Sequence, residues 1–163
     1  MRPDEDNDFP RADGRQSARA REIARGAQRA LAIRGFRVVP EVSLADGRRA
    51  DLLCVGGDGE IWIVEIKSSI EDFRADHKWP DYRAWCDRLL FAVASDFPVA
   101  VLPEDCGLLL ADRYGGEIVR EAPEHRLAGA RRKAVTLRML RVAAGRLMTI
   151  ADPEAALEPL PRV

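Results

Sequence analysis

Three residues have types and a spacing that suit work on a phosphodiester: Asp51, Glu65 and Lys67. Glu65 and Lys67 are two apart in an apolar segment, so on an extended strand they share a face while Ile66 points away. Asp51 opens the preceding apolar segment. A hairpin joining the two segments would bring it near Glu65 and Lys67. Two carboxylates suit a hard divalent cation such as Mg²⁺ or Mn²⁺, which keeps several waters and needs few protein ligands. Such an ion polarises a phosphoryl group and activates water, and a neighbouring lysine steadies the charge that develops. The backbone carbonyl of Ile66 lies between the two functional side chains and is a further candidate ligand. Glu-x-Lys on a strand is also a common surface ion pair, and an Asp at a strand start is commonly a turn residue. It is the combination that argues for a metal site.

Several elements must position these residues. From Ser17 to about Arg34 the apolar residues Ala20, Ile23, Ala24, Ala27 and Leu31 recur at helical spacing, and Gly35 supplies the stop. Three strands follow, at residues 36–44, 50–55 and 60–67. Asp46-Gly47 and Asp58-Gly59 mark tight turns between them, which predicts an antiparallel meander. Residues 68–86 are helical in composition but interrupted by Pro80, which predicts a short helix up to Trp79 and a new one beginning at Pro80. Residues 88–94 read as a buried strand, and 99–102, 108–111 and 117–120 as further short strands. A last amphipathic helix runs from Gly129 to about Met148. The order predicts a mixed α/β domain over residues 16–150, with a loose arm at 1–15 and a loose tail at 151–163.

Composition narrows the function class. The chain has 163 residues, enough for one domain with a real core. Its three cysteines are widely spaced without a CxxC pair, which argues against a disulfide framework and against zinc. No apolar run spans a bilayer and the first residues lack a signal-peptide centre, so a cytoplasmic location is expected, with no membrane partner. Net charge is −1, and lysine occurs only at Lys67, Lys78 and Lys133. That scarcity makes the position of Lys67 worth explaining.

With Asp51 and Glu65-Ile66-Lys67 on the second and third strands, the chain resembles the PD-(D/E)xK nuclease superfamily and its restriction-endonuclease-like fold. More narrowly, RRADLL, IWIVEIKSS and DFRADHKWPDYRAWCDRLLFAV resemble the bacterial MmcB-type DNA repair proteins. Asp76-His77-Lys78-Trp79 with Tyr82 and Cys86-Asp87 carries that narrower match. The resemblance spans about Ser17 to Leu147. It implies a DNA repair role, DNA as substrate or partner, and nucleoid association. Ala50 stands where the superfamily's name has proline.

Further candidates surround this core. Glu41 on the first strand and Glu22 in the first helix are possible extra acidic ligands, with Glu22 among arginines on the outer face. Lys78 and Tyr82, four apart, are candidates for phosphate contact and base stacking if one helix carries both. Trp79 and Trp85 are expected to pack, and His77 to be exposed. Arg131, Arg138 and Arg141 fall on one flank of the last helix, where they could track a phosphate backbone. The leading expectation is a metal-dependent deoxyribonuclease, and the alternative is a non-cleaving DNA- or partner-binding repair module. A third is a structural domain whose charge cluster is only an ion-pair network. Nucleases of this size often pair to engage both strands, which makes a homodimer a further expectation.

Overall fold

A computed structural model describes residues 17–154. The expected arm at 1–15 and most of the expected tail lie outside these residues. Helix α1 (Ala18–Ile33) starts at Ser17, whose hydroxyl accepts from the Ala20 amide. Strands β1 (Arg37–Ser43), β2 (Arg49–Val55) and β3 (Ile61–Ile66) form the expected antiparallel meander. Its two turns are built alike. Gly47 and Gly59 adopt left-handed backbone, and Asp46 and Asp58 each accept from the amide two residues on.

Helix α2 (Ile70–Ala75) is capped by Ser69, and a 3₁₀ segment (Trp79–Trp85) follows. The expected boundary moves, because Asp76 ends the helix in extended backbone and Pro80 sits in the first turn of a tighter helix. Strand β4 (Arg88–Val93) returns parallel to β3, β5 (Gly107–Ala111) is parallel to β4, and β6 (Gly116–Arg120) is antiparallel to β5. The sheet order is β1-β2-β3-β4-β5-β6. The segment expected as a strand at 99–102 is instead a 3₁₀ turn at Val99–Val101, set between Pro98 and Pro103 and pairing with no strand. Helix α3 (Gly129–Ala151) runs three residues beyond the expected end.

The result is a mixed six-stranded sheet with helices on both faces. On one face Ile23, Ala27 and Leu31 of α1 pack against Leu52, Trp62, Val64 and Leu90. On the other, Tyr82, Val135, Met139 and Val142 pack against Leu53, Ile63, Phe91 and Val93. No helix among the described residues is long and apolar enough to cross a membrane. The first contact is close: a Cβ added to Gly26 would lie 1.8 Å from the Asp112 carbonyl oxygen and 2.4 Å from that of Gly115. Gly26→Ala is therefore expected to lift α1 from the loop before β6 and cost about 1–3 kcal/mol, read as a lowered denaturation midpoint. An unchanged midpoint would mean that the helix does not rest there.

Candidate active site

The alternation of β3 sends Ile63 and Glu65 to the α3 face and Val64 and Ile66 to the α1 face. Glu65 is therefore buried under the 3₁₀ segment, 3% exposed, and Lys67 just past the strand is 5% exposed. The β2–β3 ladder stops at Leu52↔Val64, one step before Asp51 and Glu65. There the carboxylates replace backbone partners. Asp51 Oδ2 accepts from the Ile66 amide at 2.8 Å, and Glu65 Oε1 accepts from the Asp51 amide at 3.1 Å. Each acid is thereby locked to the other's strand: of Asp51, Glu65 and Lys67, which were expected to converge, the structure links the two acids directly and turns the Lys67 ammonium to Asp76. The Ile66 side chain packs toward α1, so only its backbone faces this exchange.

Burial and like charge act together on the two acids. Enclosure pushes Asp51 up to about 6, against the pull of the Ile66 amide and the Lys67 charge. Burial and the Asp51 charge hold Glu65 well above the usual carboxylate range. Two neighbouring carboxylates in an enclosed site favour either a shared proton or a cation. Lys67 does not neutralise them directly. Its ammonium bonds Asp76 Oδ2 at 2.6 Å, while Asp76 Oδ1 accepts from the Lys78 amide at 2.8 Å. Burial would lower the Lys67 pKa, but Asp76, Glu65 and Asp72 outweigh it and hold it above the usual value. Burial likewise opposes ionisation of Asp76, and the Lys67 and backbone hydrogen bonds overcome it.

Asp76 is the member of this site that pattern reading missed. Its signal was present, since it opens the Asp76-His77-Lys78-Trp79 segment, but only the turn after α2 shows why an acid stands there. Asp76→Asn is expected to move the Lys67 titration downward, because burial then acts with a weaker opponent. NMR of the labelled Lys67 side chain would measure this, and an unmoved titration would show that Asp76 does not govern it.

Whether a metal fits can be judged from the donors. Asp51 and Glu65 offer hard oxygens, and one oxygen of each is already braced by an amide. Among the described residues no group of three or more His, Cys, Asp and Glu forms a ligand cluster. This donor set suits an ion that keeps most of its waters, as Mg²⁺ does, and does not suit zinc. Glu41 lies between the β1–β2 pairs Pro40↔Leu52 and Val42↔Ala50, in line with Asp51. Its backbone is left-handed, with φ 50°, which is costly for a residue with a Cβ. Its carboxylate stands 3.8 Å from Arg49 and contributes to the upward push on Asp51.

The remaining candidates divide. Glu22 is exposed on α1, on the opposite side of the sheet from the acids, so it cannot join them. Lys78 and His77 are exposed next to Asp76. Tyr82 does not share a face with Lys78, because a 3₁₀ helix advances three residues per turn rather than 3.6. It is buried and its hydroxyl donates to the Arg49 carbonyl at 2.7 Å, so its ring braces the site from beneath rather than meeting a base. Trp79 packs edge-on to Phe91, as expected. The flank of α3 is only partly free: Arg131 stacks on Trp85 and donates to the Ala84 carbonyl, and Arg138 donates to the Ser43 carbonyl. Arg141 is exposed.

The family model of DNA repair proteins described as MmcB-like matches residues 7–154. This chain belongs to the MmcB-like DNA repair family. A solved structure of a protein of unknown function from Silicibacter pomeroyi is similar at 46% identity and a TM-score of 0.83, covering 86% of this chain and 97% of that one. No curated protein matches. Membership in the MmcB-like family supports a role in DNA repair, and three residues of the 76–87 segment have physical tasks in the structure. Asp76 holds Lys67, Tyr82 braces β2, and Asp87 ties β4 to β3 and α3.

Proposed function

We propose that this MmcB-like protein is a metal-dependent deoxyribonuclease of the PD-(D/E)xK type acting in DNA repair. One observation carries the reading: Asp51 and Glu65 are cross-braced side by side where β2 and β3 part, next to a buried Lys67. Asp51 and Glu65 would hold Mg²⁺ or Mn²⁺, together with the Ile66 carbonyl and with Glu41 beside them. When bound, the ion supplies Lewis-acid polarisation of the phosphoryl group and a more acidic water. The protein's own part is placement and charge. Bracing by the two amides fixes the carboxylates without a rearrangement on binding, and Lys67 sets a positive charge at the strand end where phosphate charge grows. Asp76 keeps that ammonium protonated and aimed. Exposed Lys78 and Arg141 are the remaining candidates for phosphate contact, and Arg131 and Arg138 could serve only by leaving the protein groups they now hold.

A second reading has its own support. Lys67 is already committed to Asp76 at 2.6 Å, as in a site kept for stability or binding. On that reading the protein is a non-cleaving DNA- or partner-binding repair module. Purified protein incubated with single-stranded, duplex, flap and branched DNA separates the two. Cleavage with Mg²⁺ or Mn²⁺ is expected to be lost with chelator and to fall roughly 10²–10³-fold in Lys67→Ala. Binding without cleavage of any substrate by wild type would establish the second reading, and chelator-resistant cutting would point away from this site.

A further inference from the structure

We infer that α3 is a dimerisation helix that pairs antiparallel with α3 of a second copy of this chain. Its inner face is spent on the core through Val135, Met139 and Val142. Directly opposite, Leu137, Leu140, Ala144 and Leu147 face outward, with Leu140 61% and Leu147 66% exposed. Their spacing is three, four, three, the alternation of a two-helix seam, and Ala151 extends it by four. The seam is about 21 Å long at 1.5 Å per residue. Leucine spread over so long a stretch of outer surface is unusual for a monomer.

The charges select the occupant and its direction. In an antiparallel pair centred near Val142, Leu137 meets Leu147 of the partner subunit, and Leu140 meets Ala144 of the partner subunit. A large side chain thus faces a small one at the crossing. Lys133, one heptad before Leu140, then lies over the partner's helix end, where Asp152 and Glu154 are exposed. That end also carries the negative pole of the helix dipole. A parallel pair would instead set Lys133 on Lys133 across the seam. The twofold arrangement is self-complementary, as a closed dimer requires.

The full chain should sediment at twice 18.1 kDa at micromolar concentration. Leu140→Glu/Leu147→Glu should sediment at 18.1 kDa with an unchanged circular dichroism spectrum, since both side chains are exposed. Direction is read by disulfides, the three native cysteines being buried. Mixed Leu137→Cys and Leu147→Cys proteins should cross-link to each other on oxidation, and Leu137→Cys alone should not cross-link to itself. A monomer at every concentration would overturn the inference and leave the seam to another protein. Self-linking of Leu137→Cys would overturn the antiparallel arrangement. So would a dimer that the double glutamate variant leaves intact.

Discussion

Glu65→Gln is expected to make the metal-free protein more stable at pH 8, while removing its response to Mg²⁺ or Mn²⁺. The amide keeps the oxygen that accepts from the Asp51 amide, so the brace between β2 and β3 survives. What disappears is one of two like charges in an enclosed site. Asp51 is pushed to about 6 and Glu65 is raised well above the usual carboxylate range, both above their values in an unfolded chain. The folded state therefore binds more protons than the unfolded one, and stability is lost as pH rises from about 4 through about 6. Removing one acid should recover on the order of 1–3 kcal/mol at pH 8, a Tm rise of about 5 °C. In wild type the cation should do the same work, raising Tm more at pH 8 than at pH 5, because protons compete for its ligands. Thermal unfolding of wild type, Glu65→Gln and Asp51→Asn, with and without metal at both pH values, reads all of this. A variant less stable than wild type at pH 8 would show that the acids are structural partners and not a strained cation site.

The largest loss of stability is expected from Asp87→Ala. Asp87 is 1% exposed, and its two carboxylate oxygens serve four donors. The Ile61 and Leu127 amides each donate at 2.8 Å, and Arg132 adds a bidentate pair at 2.6 and 2.7 Å. Burial alone would raise the Asp87 pKa, but Arg132 and the two amides more than compensate and hold it low. Its contribution is accordingly present above the ordinary carboxylate range and fades only in acid, as pH falls through that lowered value. Alanine would strand two amides and a guanidinium, costing about 3–5 kcal/mol and roughly 10 °C in Tm. The same carboxylate joins β3, the approach to α3 and α3 itself, so the whole α3 face should loosen together. Hydrogen exchange at Ile61, Leu127 and the first turns of α3 would locate the loss. A drop of under 2 °C would mean that these groups find water at little cost.

The periodic parts of the chain are legible in the residue pattern. α1 and α3 follow from apolar residues at helical spacing, and the β1–β3 meander from alternating segments broken by Asp46-Gly47 and Asp58-Gly59. Local backbone chemistry is enough for such elements. Where pattern and context disagreed, context won. Residues 99–102 are apolar enough for a strand, yet prolines on either side and the lack of a neighbouring edge make them a 3₁₀ turn. The stretch after Pro80 kept its helical sense but tightened, and that changed which residues share a face.

The candidate site divides along the same line. The pairing of Asp51 with Glu65, and Lys67 at the same strand end, follow from the residue pattern, because two-residue alternation and one hairpin are enough to bring them there. What surrounds them was set by the packing of the folded chain. Asp76 reaches Lys67 because α2 ends in extended backbone, Tyr82 turns inward because its helix has three residues per turn, and Arg131 and Arg138 are drawn onto the protein by groups distant in sequence. The physical reason is range. Alternation and turn geometry are set by bonds between near neighbours, whereas the partner of a long charged side chain is set by which distant donor or acceptor the packed sheet brings within about 3 Å.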